Sequence, residues 1–193
     1  MDVSMGLSCK EFVLLCTDMA ATSQIITMKD DEDKIFALDS HKLVSTNGEP
    51  GDRVRFAEYI EANCKLYQLR NGIPLSTKAV ANFTRSELAK ALRKGPKATN
   101  LIIAGYDEGA GASMYHLDYL GTLHRMNATG YGYGAWFVLS MFDKLWRPDL
   151  TQEEALEVMK KGIDEIKKRL VVAPPTFCVK IVDKDGIRTM ATI

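Results

Sequence analysis

Strand-like and helix-like segments come in blocks along this chain, and that order constrains its fold more than any single motif. From Val3 to about Thr46, short apolar runs rich in branched residues are split by polar turns: EFVLLCTD, SQIITM, KIFAL and KLVST. Such runs predict strands. DSHK, residues 39–42, reads as a tight hairpin connection, and Gly48, Pro50 and Gly51 end the strand region. From Asp52 to Leu69 the period changes: Phe56, Ala57, Ile60, Cys64 and Tyr67 recur at helical spacing until RNGIP stops them. Ser76 caps a second helix carrying Val80, Phe83, Leu88, Ala91 and Leu92, which KGPK breaks. LIIAGYD and ASMYHLDYLG predict two strands joined across EGAG. Residues 132–146, GYGAWFVLSMFDKLW, are apolar on nearly every face, which predicts a helix buried between other layers. Thr151 and Glu154 then form a capping box, and Ala155, Met159, Ile163, Ile166 and Leu170 make one apolar face. On its other face Glu157 with Lys161 and Asp164 with Lys168 are spaced as supportive pairs. TFCVKIV, the turn DKDG and IRTMATI supply a last pair of strands. Strands and helices that alternate in blocks, not singly, favour a layered sandwich over a doubly wound parallel sheet.

Length and composition exclude several function classes. The 193 residues, 46% of them hydrophobic, suit one globular domain spanning residues 1–193. Lys plus Arg and Asp plus Glu both number 25, so the net charge gives no footprint for nucleic acid or a membrane surface and leaves protein as the expected partner. Cys9, Cys16, Cys64 and Cys178 are scattered without a CxxC pair, which predicts buried free thiols instead of a zinc site or disulfide framework. The N-terminal region has no basic segment and its longest apolar run is FVLLC, so an intracellular protein in a reducing compartment is expected. In such a compartment the sequon NFT, residues 82–84, carries no weight. EGAG lacks the GK[ST] and following helix of a phosphate loop, and the glycines of the 132–146 segment are too weak a signal for a dinucleotide. The acidic run Asp30, Asp31, Glu32, Asp33 lacks the spacing of a calcium loop and reads as a solvated bend. His41, His116 and His124 have no partner pattern and read as ordinary surface or satisfied histidines.

Longer strings carry more. CTDMAATS, MKDDEDKIF, GEPGDRVRFAEYIEANCKLYQLRNG, ANFTR, LIIAGYDE, YHLDYLGTL, GYGA and PTFCVKIVDKDGI together resemble the beta subunits of the eukaryotic 20S proteasome. The resemblance runs in order from about Gly6 to Ile187, and within the family it is strongest to the branch at the fourth position of the beta ring. It implies an α+β fold of the N-terminal nucleophile hydrolase type, a four-layer αββα sandwich with a helix pair outside each of two antiparallel sheets.

An active member of that family attacks with an N-terminal threonine whose own α-amine, of pKa roughly 8, serves as base. A lysine keeps the field positive, an aspartate positions the lysine, and a glycine N–H stabilises the oxyanion. The resemblance puts Asp18 at the aspartate, Lys34 at the lysine and Gly48 at the oxyanion glycine. Counting back from Asp18 puts the nucleophile position at Asp2, or with a slip of register at Met1, Val3 or Ser4. A carboxylate is a poor nucleophile toward an amide, and Ser4 would serve only if cleavage exposed its amine, for which the expected leader is too short. A second group of supports is also replaced. The serine of the turn before the third helix becomes Tyr131 or Tyr133 in GYGYGA, and Leu170 and Ala173 stand for the later aspartate and serine within RLVVA.

The resemblance therefore implies a non-catalytic subunit with a degenerate site, the alternative being an amidohydrolase using Ser4 or another processed N-terminus. Asp18 and Lys34 are expected to form a buried ion pair that specifies geometry. The resemblance also implies a core of twenty-eight subunits in two alpha and two beta heptameric rings. The chain would sit beside the third and fifth beta subunits, below an alpha ring and against the opposite beta ring, in cytoplasm and nucleus, while other beta subunits cut ubiquitin-marked proteins. No cofactor and no metal are implied. Trp146, Leu145, Tyr67 and the final strand IRTMATI are the expected apolar contact residues.

Overall fold

The computed structural model describes residues 2–23 and 26–193. Strands Ser4–Ser8 (β1), Phe12–Asp18 (β2), Ala21–Ser23 (β3), Ile26–Lys29 (β4), Ile35–Asp39 (β5) and Lys42–Gly48 (β6) lead into helices Pro50–Asn71 (α1) and Thr77–Ala91 (α2). Strands Thr99–Asp107 (β7), Gly111–Leu117 (β8), Leu123–Arg125 (β9) and Ala128–Tyr131 (β10) precede helices Ala135–Leu145 (α3) and Gln152–Arg169 (α4). Strands Phe177–Asp183 (β11) and Gly186–Thr192 (β12) follow. One antiparallel sheet has the order β10-β1-β2-β11-β12, a second has β5-β6-β7-β8-β9, and β3 pairs with β4 in a small ribbon.

Side-chain alternation explains the layering. In β2, Phe12, Leu14 and Cys16 point into a core shared with α3 and α4, whereas Val13 and Leu15 point between the two sheets. In β7, Leu101 and Ile103 face the core under α1 and α2, and Ile102 and Ala104 meet Val13 and Leu15 in the layer between the sheets. Central strands buried on both faces account for the unbroken apolar runs FVLLC and LIIA. The result is the expected four-layer αββα sandwich.

The 39–42 hairpin is present, with Asp39 Oδ1 accepting from the His41 N–H at 2.8 Å and Asp39 Oδ2 from Lys42 Nζ at 2.9 Å. Helix α1 begins two residues before the expected Asp52, with Pro50 in its first turn, and Ser76 caps α2 through the Ala79 N–H. The Thr151–Glu154 capping box forms with both of its hydrogen bonds. All four cysteines are free and buried. His116 is satisfied, its Nδ1 lying 2.7 Å from Thr129 Oγ1 and its ring stacked on Tyr131 at 4.2 Å.

Several expectations need correction. The run SQIITM is not one strand: Ser23 ends β3 and Ile26 begins β4, with Gln24 and Ile25 outside the described residues. The strand expected to reach Gly121 stops at Leu117, because Asp118 Oδ1 accepts from the Leu120 and Thr122 N–H groups and turns the chain. Helix α3 is an outer-layer helix. Ala135, Val138 and Phe142 are buried, yet Trp136 is 78% exposed, since one stripe suffices to cover the sheet. On α4, Glu157 pairs with Lys160, three residues on and as near on a helix surface as a residue four away, and Glu165 pairs with Arg169 at the i,i+4 spacing. Trp146 and Leu145 are half-buried and pack against the chain's own core, and the indole Nε1 donates to the Ser8 carbonyl at 2.9 Å. Tyr67 is exposed, as expected of a contact residue, and all of IRTMATI but Ile193 falls within β12, an edge strand paired to β11.

Candidate functional site

The two sheets are joined at one end by Lys34, the residue before β5. Its backbone carbonyl accepts from the Thr46 N–H at 3.0 Å, which fixes it to β6. Its side chain turns inward and is fully buried. The ammonium donates to Asp18 Oδ1 at 2.7 Å, to the Ala20 carbonyl at 2.7 Å and to Asp2 Oδ1 at 2.8 Å. Three donors meet three acceptors, so the charge is fully coordinated.

Asp18 ends β2 and is 1% exposed. Its Oδ2 accepts from the Val3 N–H at 2.6 Å, and its Oδ1 accepts from the Ala20 N–H at 3.0 Å besides Lys34. The expected Asp18–Lys34 pair is thus present, and Asp18 also ties down the segment before β1.

Asp2 sits where three elements converge. Its Oδ2 accepts from the Gly48 N–H at 3.1 Å, while its Oδ1 takes Lys34. Its backbone carbonyl accepts from Asn47 Nδ2 at 2.8 Å. Gly48 has φ 136°, and a Cβ there would lie 2.2 Å from the Ala98 carbonyl oxygen. Gly132 has φ 82°, and a Cβ there would lie 2.0 Å from the Asp2 carbonyl oxygen. Both positions therefore require glycine, the first to aim an N–H and the second to let Asp2 approach.

Electrostatics separate the two carboxylates. Burial would raise the Asp2 pKa, but the hydrogen bond and charge of Lys34, the Gly48 N–H and the nearby Arg53 together hold it below the ordinary aspartate value. At Asp18 burial prevails over Lys34 and the Val3 N–H, and the pKa is raised. A depressed carboxylate contributes stability above its unfolded pKa of about 3.9 and loses it as pH falls through the folded value. Asp2→Asn is therefore expected to flatten the acid limb of the stability profile, measured by urea unfolding from neutral pH downward. An unchanged limb would show that Asp2 bears no linked charge.

The acidic run before Lys34 divides. Asp30 and Asp31 are exposed, and Asp31 pairs with Lys29 at 3.2 Å. Glu32 instead accepts from Arg53 Nη2 through both oxygens at 2.8 Å, and Arg53 is 2% exposed. Asp33 accepts from the Ile35 N–H at 3.0 Å and pairs with Lys180. The solvated bend expected for all four residues holds for Asp30, Asp31 and the exposed Asp33, and fails for Glu32, which the buried Arg53 claims.

The other site positions bring no polar group to Lys34. Tyr133 is exposed at the start of α3 against Trp136, and the Tyr131 hydroxyl is buried without a partner among the described residues. Leu170 caps the C-terminus of α4, and Ala173 is half-buried in the segment before β11. Ser4 lies within β1, buried, and its Oγ makes no hydrogen bond among the described residues. Val3 enters the site through its N–H alone, and Met1 lies outside the described residues. Asn47, Gly132, Glu32 and Arg53 were not singled out from the sequence. Asn47 had one signal, its place beside Gly48; the others are joined to the site only by folding.

A family model described as "Proteasome subunit" matches residues 2–182. Proteasome subunit beta type-2-B of Arabidopsis thaliana is 54% identical over 188 residues, covering 97% of this chain and 94% of the relative. Proteasome subunit beta type-2 of Oryza sativa subsp. japonica is 52% identical over 191 residues, covering 99% and 90%. Proteasome subunit beta type-4 of Saccharomyces cerevisiae is 42% identical over 190 residues, covering 97% and 96%. With matches of that length on a two-sheet sandwich whose ends meet at Lys34, the chain belongs to the proteasome subunit family, among its beta subunits.

Proposed function

We propose that this chain is a non-catalytic beta subunit of the 20S proteasome core particle, part of the beta ring and of the wall of the degradation chamber. The observation that carries this reading is the state of residue 2. The Asp2 carboxylate is held by Lys34 Nζ at 2.8 Å and by the Gly48 N–H at 3.1 Å, the two groups that would activate a nucleophile and stabilise an oxyanion in an active relative. Attack by a carboxylate on an amide would give an anhydride, a product uphill from the peptide bond. The positively charged lysine is spent on two carboxylates and a carbonyl, and the Ser4 hydroxyl has no bond to it.

Under this reading the retained Asp18, Lys34 and Gly48 form a silent site that fixes the ends of both sheets. The single domain, residues 1–193, joins other alpha and beta subunits in the stacked rings, with the third and fifth beta subunits as neighbours and the opposite beta ring across from it. It needs no cofactor, and ubiquitin-marked proteins in cytoplasm and nucleus are cut by other subunits. The exposed aromatic pair Tyr133 and Trp136 supports a role as a packed component, since such a surface is unusual for a chain that works alone. Native mass measurement of the chain purified from its source tests the assembly: a complex containing many different subunits is expected, and a monomer or homodimer would refute the reading.

A further inference from the structure

We propose that Asp2 is the resident ligand of a carboxylate-binding site, and that this site takes a free monocarboxylate once the Asp2 side chain is removed. The proposal rests on the non-catalytic reading in one respect, that residue 2 stays in the mature chain.

The receptor is built by groups that do not depend on the Asp2 side chain. Lys34 Nζ comes from the residue before β5 and the Gly48 N–H from the end of β6, and each holds a different oxygen of the same carboxylate. Their spacing is therefore matched to the two oxygens of one carboxylate, a geometry formate or acetate shares. Lys34 keeps its place through Asp18 and the Ala20 carbonyl, and Gly48 keeps its N–H aimed through the backbone conformation at φ 136°. The chain itself remains clamped as well: Asn47 Nδ2 holds the Asp2 carbonyl and Asp18 holds the Val3 N–H. Removing the side chain would leave a buried ammonium with one unspent donor and an unpaired N–H, both costly without an acceptor.

Access and charge also fit. A cavity of about 270 Å³ reaches Asp2, Gly48, Glu32 and Arg53, so a carboxylate can enter from solvent and leave its substituent in the cavity. Three anions lie nearby: Asp18 is engaged by Lys34 and two N–H groups, Glu32 by Arg53, and Glu49 lines the cavity from an exposed position where solvent screens its charge. Arg53 is buried and its charge is paired with Glu32, while its Nε–H has no partner among the described residues and remains a free donor beside the site. In the unaltered chain the tethered carboxylate competes at an effective concentration on the order of millimolar or higher. Free carboxylates, including the C-termini of cleaved peptides, are thereby kept out.

The test titrates the full chain carrying Asp2→Gly with sodium formate, against sodium chloride at matched ionic strength, and follows thermal unfolding. Formate at about ten times its dissociation constant should raise the midpoint by roughly 3–6 °C over chloride. The parent chain and the Asp2→Gly, Lys34→Met double variant should show no such difference. An equal response to formate and chloride, or the same formate response in the parent or double variant, overturns the proposal. If Asp2→Gly does not fold in chloride, refolding in formate should restore soluble folded chain, and failure in both salts overturns it equally. Intact mass of the parent establishes residue 2 separately, so a failure of formate leaves the non-catalytic reading standing.

Discussion

Replacing Lys34 with methionine is expected to lower folding stability by about 3–5 kcal/mol, the range for removing one partner of a buried ion pair. The methylenes are conserved in volume, so the loss is electrostatic. Asp18, 1% exposed, and Asp2 would face each other with no cation between them, and the Ala20 carbonyl would lose its donor. Restoring neutrality should recover part of the loss: Asp2→Asn and Asp18→Asn added to Lys34→Met remove the uncompensated charges. Denaturant unfolding of the full chains and their yield in the assembled particle are the measurements. Stability of Lys34→Met within about 1 kcal/mol of the parent would match an exposed pair and contradict the buried triad.

Gly48→Ala is expected to be nearly as damaging, at about 2–4 kcal/mol, by adding backbone strain to a backbone collision. An alanine at φ 136° is disfavoured, and its Cβ would fall 2.2 Å from the Ala98 carbonyl oxygen, which cannot rotate away as a side chain could. Any relief would tilt the Gly48 N–H from Asp2. Gly51→Ala is the control: it lies in the first turn of α1, a Cβ there meets nothing within 4 Å, and helix propensity should make it neutral to stabilising by up to about 1 kcal/mol. If both substitutions behave alike, Gly48 has no special role.

What could be read from the chain depended on how local its cause was. β2 and β7 were legible because strands buried on both faces leave unbroken apolar runs, and the start of α4 because the Thr151–Glu154 box is made by residues three apart. Asp18, Lys34 and Gly48 could be placed by their resemblance to a family, and the fold brings them together. The occupancy of the site could not be read in this way. Counting located residue 2 but not its carboxylate's bond to a glycine N–H at a sequence distance of 46. Glu32 looked solvated because its neighbours are charged, while its partner Arg53 lies 21 residues away. Helix α3 was misjudged for the opposite reason: an all-round apolar sequence does not say whether its outer face meets the same chain, and Trp136 shows that it does not. The half-buried Trp146 is held by a carbonyl 138 residues away, a bond that its local sequence does not announce.

The central claim is that residue 2 fills the site and leaves no nucleophile in it. It is tested most directly by the intact mass of this chain, taken from the assembled particle after treatment with an electrophilic peptide that captures N-terminal hydroxyl nucleophiles. The account predicts an unmodified chain that retains Asp2, while other subunits of the same particle gain the adduct. A chain beginning at Ser4, or an adduct on this subunit, would contradict it.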